Sequence, residues 1–371
     1  MEKHLGQDIA KLGFGFMRLP TKNGEIDIDH VNQMVDAFIA AGFTYFDTAF
    51  GYMSGKSEDT IRQTVVERNP REAFQLATKL PLWEIKDKDS APRIFDTQLK
   101  RTNAGYFDYY MLHGLSGSRV PMVDEFDLWG FIREKKEKGL VRHIGFSYHD
   151  NADVLDQVLT EHPEIEFVQL QINYADWEDD DVQSRLCYET AVKHGVPVII
   201  MEPVKGGALA ALRDDARALF KAAAPDQSPA SWAMRFCGSL PNIITILSGM
   251  STNEQMEDNI RTMSSLKPLT DADRQVIDRV MEILAAIPTI PCTDCKYCTE
   301  NCPSNIPIPS IIHVMNDRRI YNHDNRGSYH FVTGGKGKAS DCIACGVCVD
   351  RCPQRLPIVD ILKECATVFG G

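Results

Sequence analysis

Residues 31–47 read Val-Asn-Gln-Met-Val-Asp-Ala-Phe-Ile-Ala-Ala-Gly-Phe-Thr-Tyr-Phe-Asp. Val31, Met34, Val35 and Phe38 fall three and four residues apart, the spacing of one helix face. Val31–Ala41 is therefore expected to be an amphipathic helix that stops at Gly42. Phe43-Thr-Tyr-Phe46 follows at once as a nearly continuous apolar run, which is how a strand covered on both faces reads.

The same helix-then-strand unit recurs outward from this stretch. Expected helices Ser57–Arg68, Ala91–Thr102, Asp127–Lys138, Ala152–Glu161, Asp181–His194 and Ser228–Cys237 each precede an expected strand. Those strands are Phe74–Ala77, Asp108–Leu112, His143–Phe146, Phe167–Gln171, Pro197–Met201 and Ile243–Leu247. With a first strand near Gly13–Met17, the pattern makes eight βα units over about 250 residues, the size of a (β/α)8 TIM barrel. A doubly wound open sheet would place a glycine-rich phosphate loop and a helix after its first strand. Gly13-x-Gly15 runs instead into Met17-Arg18-Leu19-Pro20, so the α/β barrel is the expected fold.

Composition shifts to proline and cysteine near Ile287-Pro288-Thr-Ile-Pro291, which sets expected domains of 1–285 and 286–371. Eight of the eleven cysteines then form two copies of one run. These are Cys292-x-x-Cys295-x-x-Cys298-x-x-x-Cys302-Pro303 and Cys342-x-x-Cys345-x-x-Cys348-x-x-x-Cys352-Pro353. The run resembles the [4Fe–4S] ligation pattern of bacterial-type ferredoxins, in which the fourth cysteine serves the other cluster. On that rule Cys292, Cys295, Cys298 and Cys352 take one cluster, and Cys342, Cys345, Cys348 and Cys302 the other. Zinc sites usually pair C-x-x-C motifs across a long gap, and the repeated C-x-x-x-C-P step suits them less well. Disulfides belong to oxidising compartments, and Met1 to Pro20 is broken by Gln7, Asp8 and Lys11, so no apolar signal segment forms. The long gap Pro303–Ser340 opens with a helix-like stretch, Ile308–Tyr321. It points to a small, mainly helical two-[4Fe–4S] ferredoxin-like domain, or to an insertion contacting the barrel. Cys187, Cys237 and Cys365 lie outside the runs and are expected to be packed thiols.

Apolar residues make 43% of the chain and charged residues 25%, with a net charge of −12. No basic patch for nucleic acid is visible, since Arg133, Lys135, Lys136 and Lys138 are interleaved with Glu134 and Glu137. No apolar run approaches the roughly 20 residues that span a bilayer. A cytoplasmic protein with no nucleic-acid or membrane partner is expected.

Barrel chemistry sits at the C-terminal ends of strands. There the sequence places Asp47, Lys79 and His113, with Tyr52 in the loop after the second strand. An ammonium beside a phenol favours phenolate, so Lys79 is expected to lower the Tyr52 pKa. Asp47 is expected to hold Lys79, and His113 to donate to a carbonyl oxygen, a general-acid arrangement for carbonyl reduction. As single residues these are also what a buried ion pair and a rim aromatic look like.

Phe46-Asp47-Thr48-Ala49-Phe50-Gly51-Tyr52, Ala77-Thr78-Lys79 and Met111-Leu112-His113 resemble the aldo/keto reductase superfamily. So, in the same order, do Gly139–Ser147, Gln171-Ile-Asn-Tyr174, Pro203-Val-Lys-Gly-Gly207 and Ser248–Asn259. The whole chain resembles the branch with a C-terminal ferredoxin-type extension. That resemblance implies an oxidoreductase using NADP(H) or NAD(H), with an Asp47–Tyr52–Lys79–His113 tetrad in which Tyr52 protonates the carbonyl oxygen. It implies Ser147 and Gln171 at the carboxamide, and Pro203, Lys205 and Gly207 along the pyrophosphate. It implies Gly249, Gln255, Asp258 and Asn259 around the adenosine. Tyr148 stands where the family usually has asparagine, which removes one expected carboxamide contact. Gly249 and Gln255 stand where a cationic pair usually meets the 2′-phosphate, with Lys205 or Arg261 as possible substitutes. Trp83, Trp129 and Trp177 are candidate substrate walls or packing aromatics. Two clusters exceed what hydride transfer needs. The extension therefore suggests either electron exchange with a redox partner protein or a purely structural role.

Overall fold

The computed structural model describes residues 5, 6, 8–299 and 302–370. Eight parallel strands close into a barrel, in the order expected from sequence. They are β1 (Leu12–Gly15), β2 (Tyr45–Asp47), β3 (Gln75–Pro81), β4 (Phe107–Leu115), β5 (Val141–Tyr148), β6 (Phe167–Gln171), β7 (Val198–Met201) and β8 (Ile243–Ser248). Each pairs with the next, and β8 closes on β1 through Leu12↔Ile246. A two-stranded antiparallel hairpin, Thr21–Lys22 with Glu25–Ile26, follows β1. Its Asn23-Gly24 turn has both φ angles positive, as a tight hairpin needs.

The helices lie where the apolar periodicity puts them, with Ile28–Ala40, Ser90–Thr102, Leu128–Glu137 and Ala152–Glu161 among them. The helix expected over Ser57–Arg68 is α-helical only to Ile61 and then widens into a π-turn over Arg62–Val66. Strand alternation fixes what faces the lumen. Tyr45, Ala77, Tyr109, Met111, Phe167 and Ile199 form a buried cluster there, packed by Leu5 and Ile9. Two residues further along the same strands come Asp47, Lys79 and His113. Gly145 permits the closest approach of β5 to β6, because a Cβ there would lie 2.3 Å from the Phe167 carbonyl oxygen.

The chain divides into two compact units, Met1–Gly206 with Ala230–Asp271, and Gly207–Pro229 with Ala272–Gly371. The second unit carries helices Ile308–Tyr321, Arg326–Thr333 and Ile358–Phe369 around a core of Ile306, Ile311, Ile312, Leu362 and Phe369. Tyr329 stacks on Phe369 at 4.6 Å, and its hydroxyl accepts from the Ala339 amide at 2.8 Å. The two cysteine runs end alike. Each ends in a turn closed on its last cysteine (Asn305 N to Cys302 O, Arg355 N to Cys352 O, both 2.9 Å). Each then enters a helix capped by proline, Pro307 or Pro357. Among the described residues no helix is long and apolar enough to cross a membrane.

Candidate active site and thiol cavities

Asp47 ends β2, Lys79 lies in β3 and His113 in β4, so the lumen-facing parity brings all three to one mouth. The Lys79 Nζ donates to Asp47 Oδ1 at 2.6 Å and to the Thr48 carbonyl at 2.8 Å, with both side chains buried. The ammonium sits 4.8 Å over the Tyr52 ring. Tyr52 meets His113 edge-on at 5.8 Å between ring centroids. Two polar atoms are left buried without a partner at this point, Asp47 Oδ2 and His113 Nδ1.

The electrostatics correct one expectation. Burial pushes the Tyr52 phenol up, and this outweighs the downward pull of Lys79, so its pKa lies above the ordinary value and not below it. Tyr52 as a whole residue is half-buried, while its phenol group is enclosed. Burial also raises the Asp47 carboxyl against the pull of Lys79. Lys79 is penalised by burial, yet Asp47 and Tyr52 hold it above its usual value. His113 is pushed well below its usual value by burial first, then by the charges of Lys79, His149 and Arg119, so it stands neutral.

A second buried network, not foreseen from sequence, holds β3 in place. Glu58 is fully buried and accepts from Thr78 Oγ1 at 2.9 Å, Gln98 Nε2 at 2.8 Å and Arg101 Nη1 at 3.3 Å. Gln98 also donates to the Lys79 carbonyl at 3.0 Å. Glu58 therefore ties the helix that follows Tyr52 to the strand that carries Lys79. The signal was present, since Glu58 shares a helix face with Ile61 and Val65.

Ser147 is buried at the end of β5, where its Oγ accepts from the Gly114 amide at 2.7 Å and keeps its own proton to give. Gln171 donates through Nε2 to Asp176 at 2.8 Å, which leaves its Oε1 as an acceptor. One hydroxyl donor and one amide acceptor are the pair a carboxamide needs. Asp176 was not foreseen. It is buried and gathers Gln171, Asn173 at 2.7 Å and Lys205 at 2.5 Å. Lys205, read as a phosphate residue, is thus drawn inward. Pro203 is buried, and Gly207 falls in the second unit with φ +102. Tyr148 is buried and donates to the Asn151 carbonyl at 2.6 Å, so it adds no contact at the mouth.

Gly249 faces the Arg18 side chain, 3.6 Å from where a Cβ would stand. Gln255 accepts from the Ser251 amide at 2.7 Å, Asn259 donates to Ser248 at 2.7 Å, and Asp258 pairs with Arg261. Of the three tryptophans only Trp83 stands at the mouth, 49% exposed and 4.7 Å from the His113 ring. Trp129 packs on His162 and Phe146, and Trp177 on Tyr188 and Phe236.

In the second unit two small pockets are each lined by four thiols. One holds Cys302, Cys342, Cys345 and Cys348; the other holds Cys292, Cys295, Cys298 and Cys352. Each takes three cysteines from one run and the fourth from the other. Exposure follows one order in both, with Cys295 and Cys345 outermost and Cys298 and Cys348 buried. Ile306, Ile308, Val359 and Leu362 wall the first cavity, and Pro309, Ile312, Leu356 and Ile358 the second. Among the described residues, no three His, Cys, Asp or Glu side chains converge on a point fit for a single ion. Cys187, Cys237 and Cys365 are buried, and burial raises all three thiols.

Residues 11–282 match the model of the Aldo/keto reductase family, and residues 291–356 that of the 4Fe-4S dicluster domain. An aldo-keto reductase of Mycolicibacterium vanbaalenii is 26% identical over 242 residues, spanning 64% of this chain and 79% of that protein. The NADH-specific methylglyoxal reductase of Escherichia coli is 24% identical, spanning 74% of this chain and 96% of its own. An aldo-keto reductase from Bacillus halodurans superposes with a TM-score of 0.60 at 23% identity, covering 75% of this chain and 95% of that one. One from Klebsiella pneumoniae, solved in complex with NADPH, gives 0.59 at 21%, covering 76% and 96%. At those identities the structural likeness speaks for the fold.

Proposed function

The chain is an oxidoreductase of the aldo/keto reductase family and carries a C-terminal 4Fe-4S dicluster domain, and from that premise we propose that it reduces the carbonyl group of a small molecule with Tyr52 as proton donor. The observation that carries the reading is the Lys79 ammonium, paired with Asp47 and held 4.8 Å over the Tyr52 ring, next to a neutral His113. A reduced nicotinamide, NADPH or NADH, supplies the hydride when bound. Tyr52 gives its phenolic proton to the carbonyl oxygen. Lys79 stabilises the phenolate left behind, and Asp47 keeps Lys79 charged and aimed. His113 is neutral and donates one hydrogen bond to the same oxygen, which sets the carbonyl's orientation.

The hydroxyl of Ser147 and the free Oε1 of Gln171 suit the carboxamide end, and Gly249, Gln255, Asp258 and Asn259 the adenosine end. Gly249 and Gln255 bring no cation, so NADH is accepted; Arg18 is the cation beside Gly249. We assign the clusters across the two runs, as the cavity linings suggest, and place the working boundary between residues 285 and 286. Eight cysteines kept as thiolate ligands suit a reducing cytoplasm. The exposed thiols Cys295 and Cys345, flanked by exposed Tyr297 and Ile343, favour a second reading in which a redox partner protein exchanges electrons with the clusters.

Tyr52→Phe tests the main reading. It keeps the ring and removes the proton donor, so carbonyl reduction should fall about 10²–10⁴-fold with iron content unchanged. An unchanged rate removes Tyr52 from the chemistry.

A further inference from the structure

Arg119 is a cation at the barrel mouth that the tetrad does not use. It lies just after β4, partly buried, and its Nη1 donates to the Gly114 carbonyl. Its guanidinium sits 5.8 Å from the Trp83 ring, and that ring is 4.7 Å from His113. Gly114 makes this approach possible. Its φ is +72, and a Cβ there would stand 2.8 Å from Arg119 Nη1 and 3.7 Å from Trp83. Every other cation named at this mouth has a carboxylate: Lys79 has Asp47, Lys205 has Asp176, and Arg18 has Glu202 at 4.0 Å. Arg119 has none among the described residues, its one hydrogen-bond acceptor being a neutral carbonyl. A guanidinium carries five N–H donors in a planar fork that matches a carboxylate edge. Taking such a group partly out of water without a counter-charge is unfavourable unless a ligand supplies the charge. Its positive field reaches the reacting centre, since it is one of the charges that hold His113 neutral.

We propose that Arg119 determines substrate specificity, and that the carbonyl substrate is an oxo acid whose carboxylate meets the free edge of this guanidinium. The carbonyl oxygen then lies between Tyr52 and His113, and Trp83 covers the short carbon chain joining the two groups. This rests on the carbonyl-reductase reading above and narrows its substrate class.

The probes are 4-oxobutanoate and its neutral methyl ester, which share one aldehyde and differ in charge. The wild-type protein should prefer the acid in kcat/KM. Arg119→Met should lower the acid-to-ester ratio on the order of 10- to 100-fold, the range for a charge-assisted pair. Arg119→Lys should recover part of it. A wild-type ratio near one, or a ratio that Arg119→Met leaves in place, overturns the proposal. If neither compound is reduced, the carbonyl-reductase reading has failed on these probes, and binding decides the anion site separately. Saturable quenching of tryptophan emission by 4-oxobutanoate, lost in Arg119→Met, supports the site; no saturable quenching overturns it.

Discussion

Lys79→Met removes the charge at the centre of the proposed site while keeping an unbranched side chain of similar length. Lys79 is fully buried, and Asp47 nearly so, with 2.6 Å between the charged atoms. Among the described residues the Asp47 side chain has no second partner, for its Oδ2 is already unpaired. The substitution therefore leaves a buried carboxylate alone, which typically costs about 3–5 kcal/mol. A pH signature follows. Burial already raises the Asp47 carboxyl, and among the described residues it is Lys79 that pulls it down. Without Lys79 the folded pKa rises further above the unfolded value of about 3.9. A carboxyl raised in the folded state contributes stability that is present below the unfolded pKa and lost as pH rises through the folded one. The deficit of Lys79→Met should thus be full at pH 8 and shrink towards pH 4. Adding Asp47→Asn should recover stability, because no charge is left stranded. All four tryptophans (Trp83, Trp129, Trp177 and Trp232) lie in the unit that contains the barrel strands, so urea unfolding followed by their emission reads that unit. A deficit below about 1 kcal/mol, equal at both pH values, would refute the argument.

Further outcomes can be checked on the same protein. Anaerobic preparations should hold about eight irons per chain; Cys302→Ala should damage the cluster of Cys342, Cys345 and Cys348, and Cys352→Ala the other, each leaving about four. Damage confined to the run that carries the substitution would contradict cross-ligation. The raised Tyr52 phenol keeps its proton to higher pH than an ordinary tyrosine, so kcat/KM should stay flat from pH 7 to 9 and fall only above about 10. A basic limb centred below 8 would exclude Tyr52 as the acid.

Much of this was legible because barrel strands are short apolar runs that follow capped helices. Phe167–Gln171 and Ala152–Glu161 lie where periodicity puts them. Asp47, Lys79 and His113 were legible as titratable residues at the ends of apolar runs. The sign of the Tyr52 shift was not, since it depends on how deeply the phenol is enclosed against how near the ammonium lies. Nor was the inward turn of Lys205, which requires a left-handed backbone at φ +48 and an acceptor, Asp176, that sequence separates from it. Arg119 drew no notice in the sequence, because only the fold shows that no carboxylate among the described residues reaches it.

The central claim is direct hydride delivery to a carbonyl in the barrel. It is tested by reducing an aldehyde with nicotinamide deuterated at the transferring carbon, in ordinary water, and weighing the alcohol. The account predicts one deuterium on the new carbinol carbon of the product. An alcohol whose new carbon-bound hydrogen comes from solvent would contradict it, and would place electron transfer through the clusters in the path of the reaction.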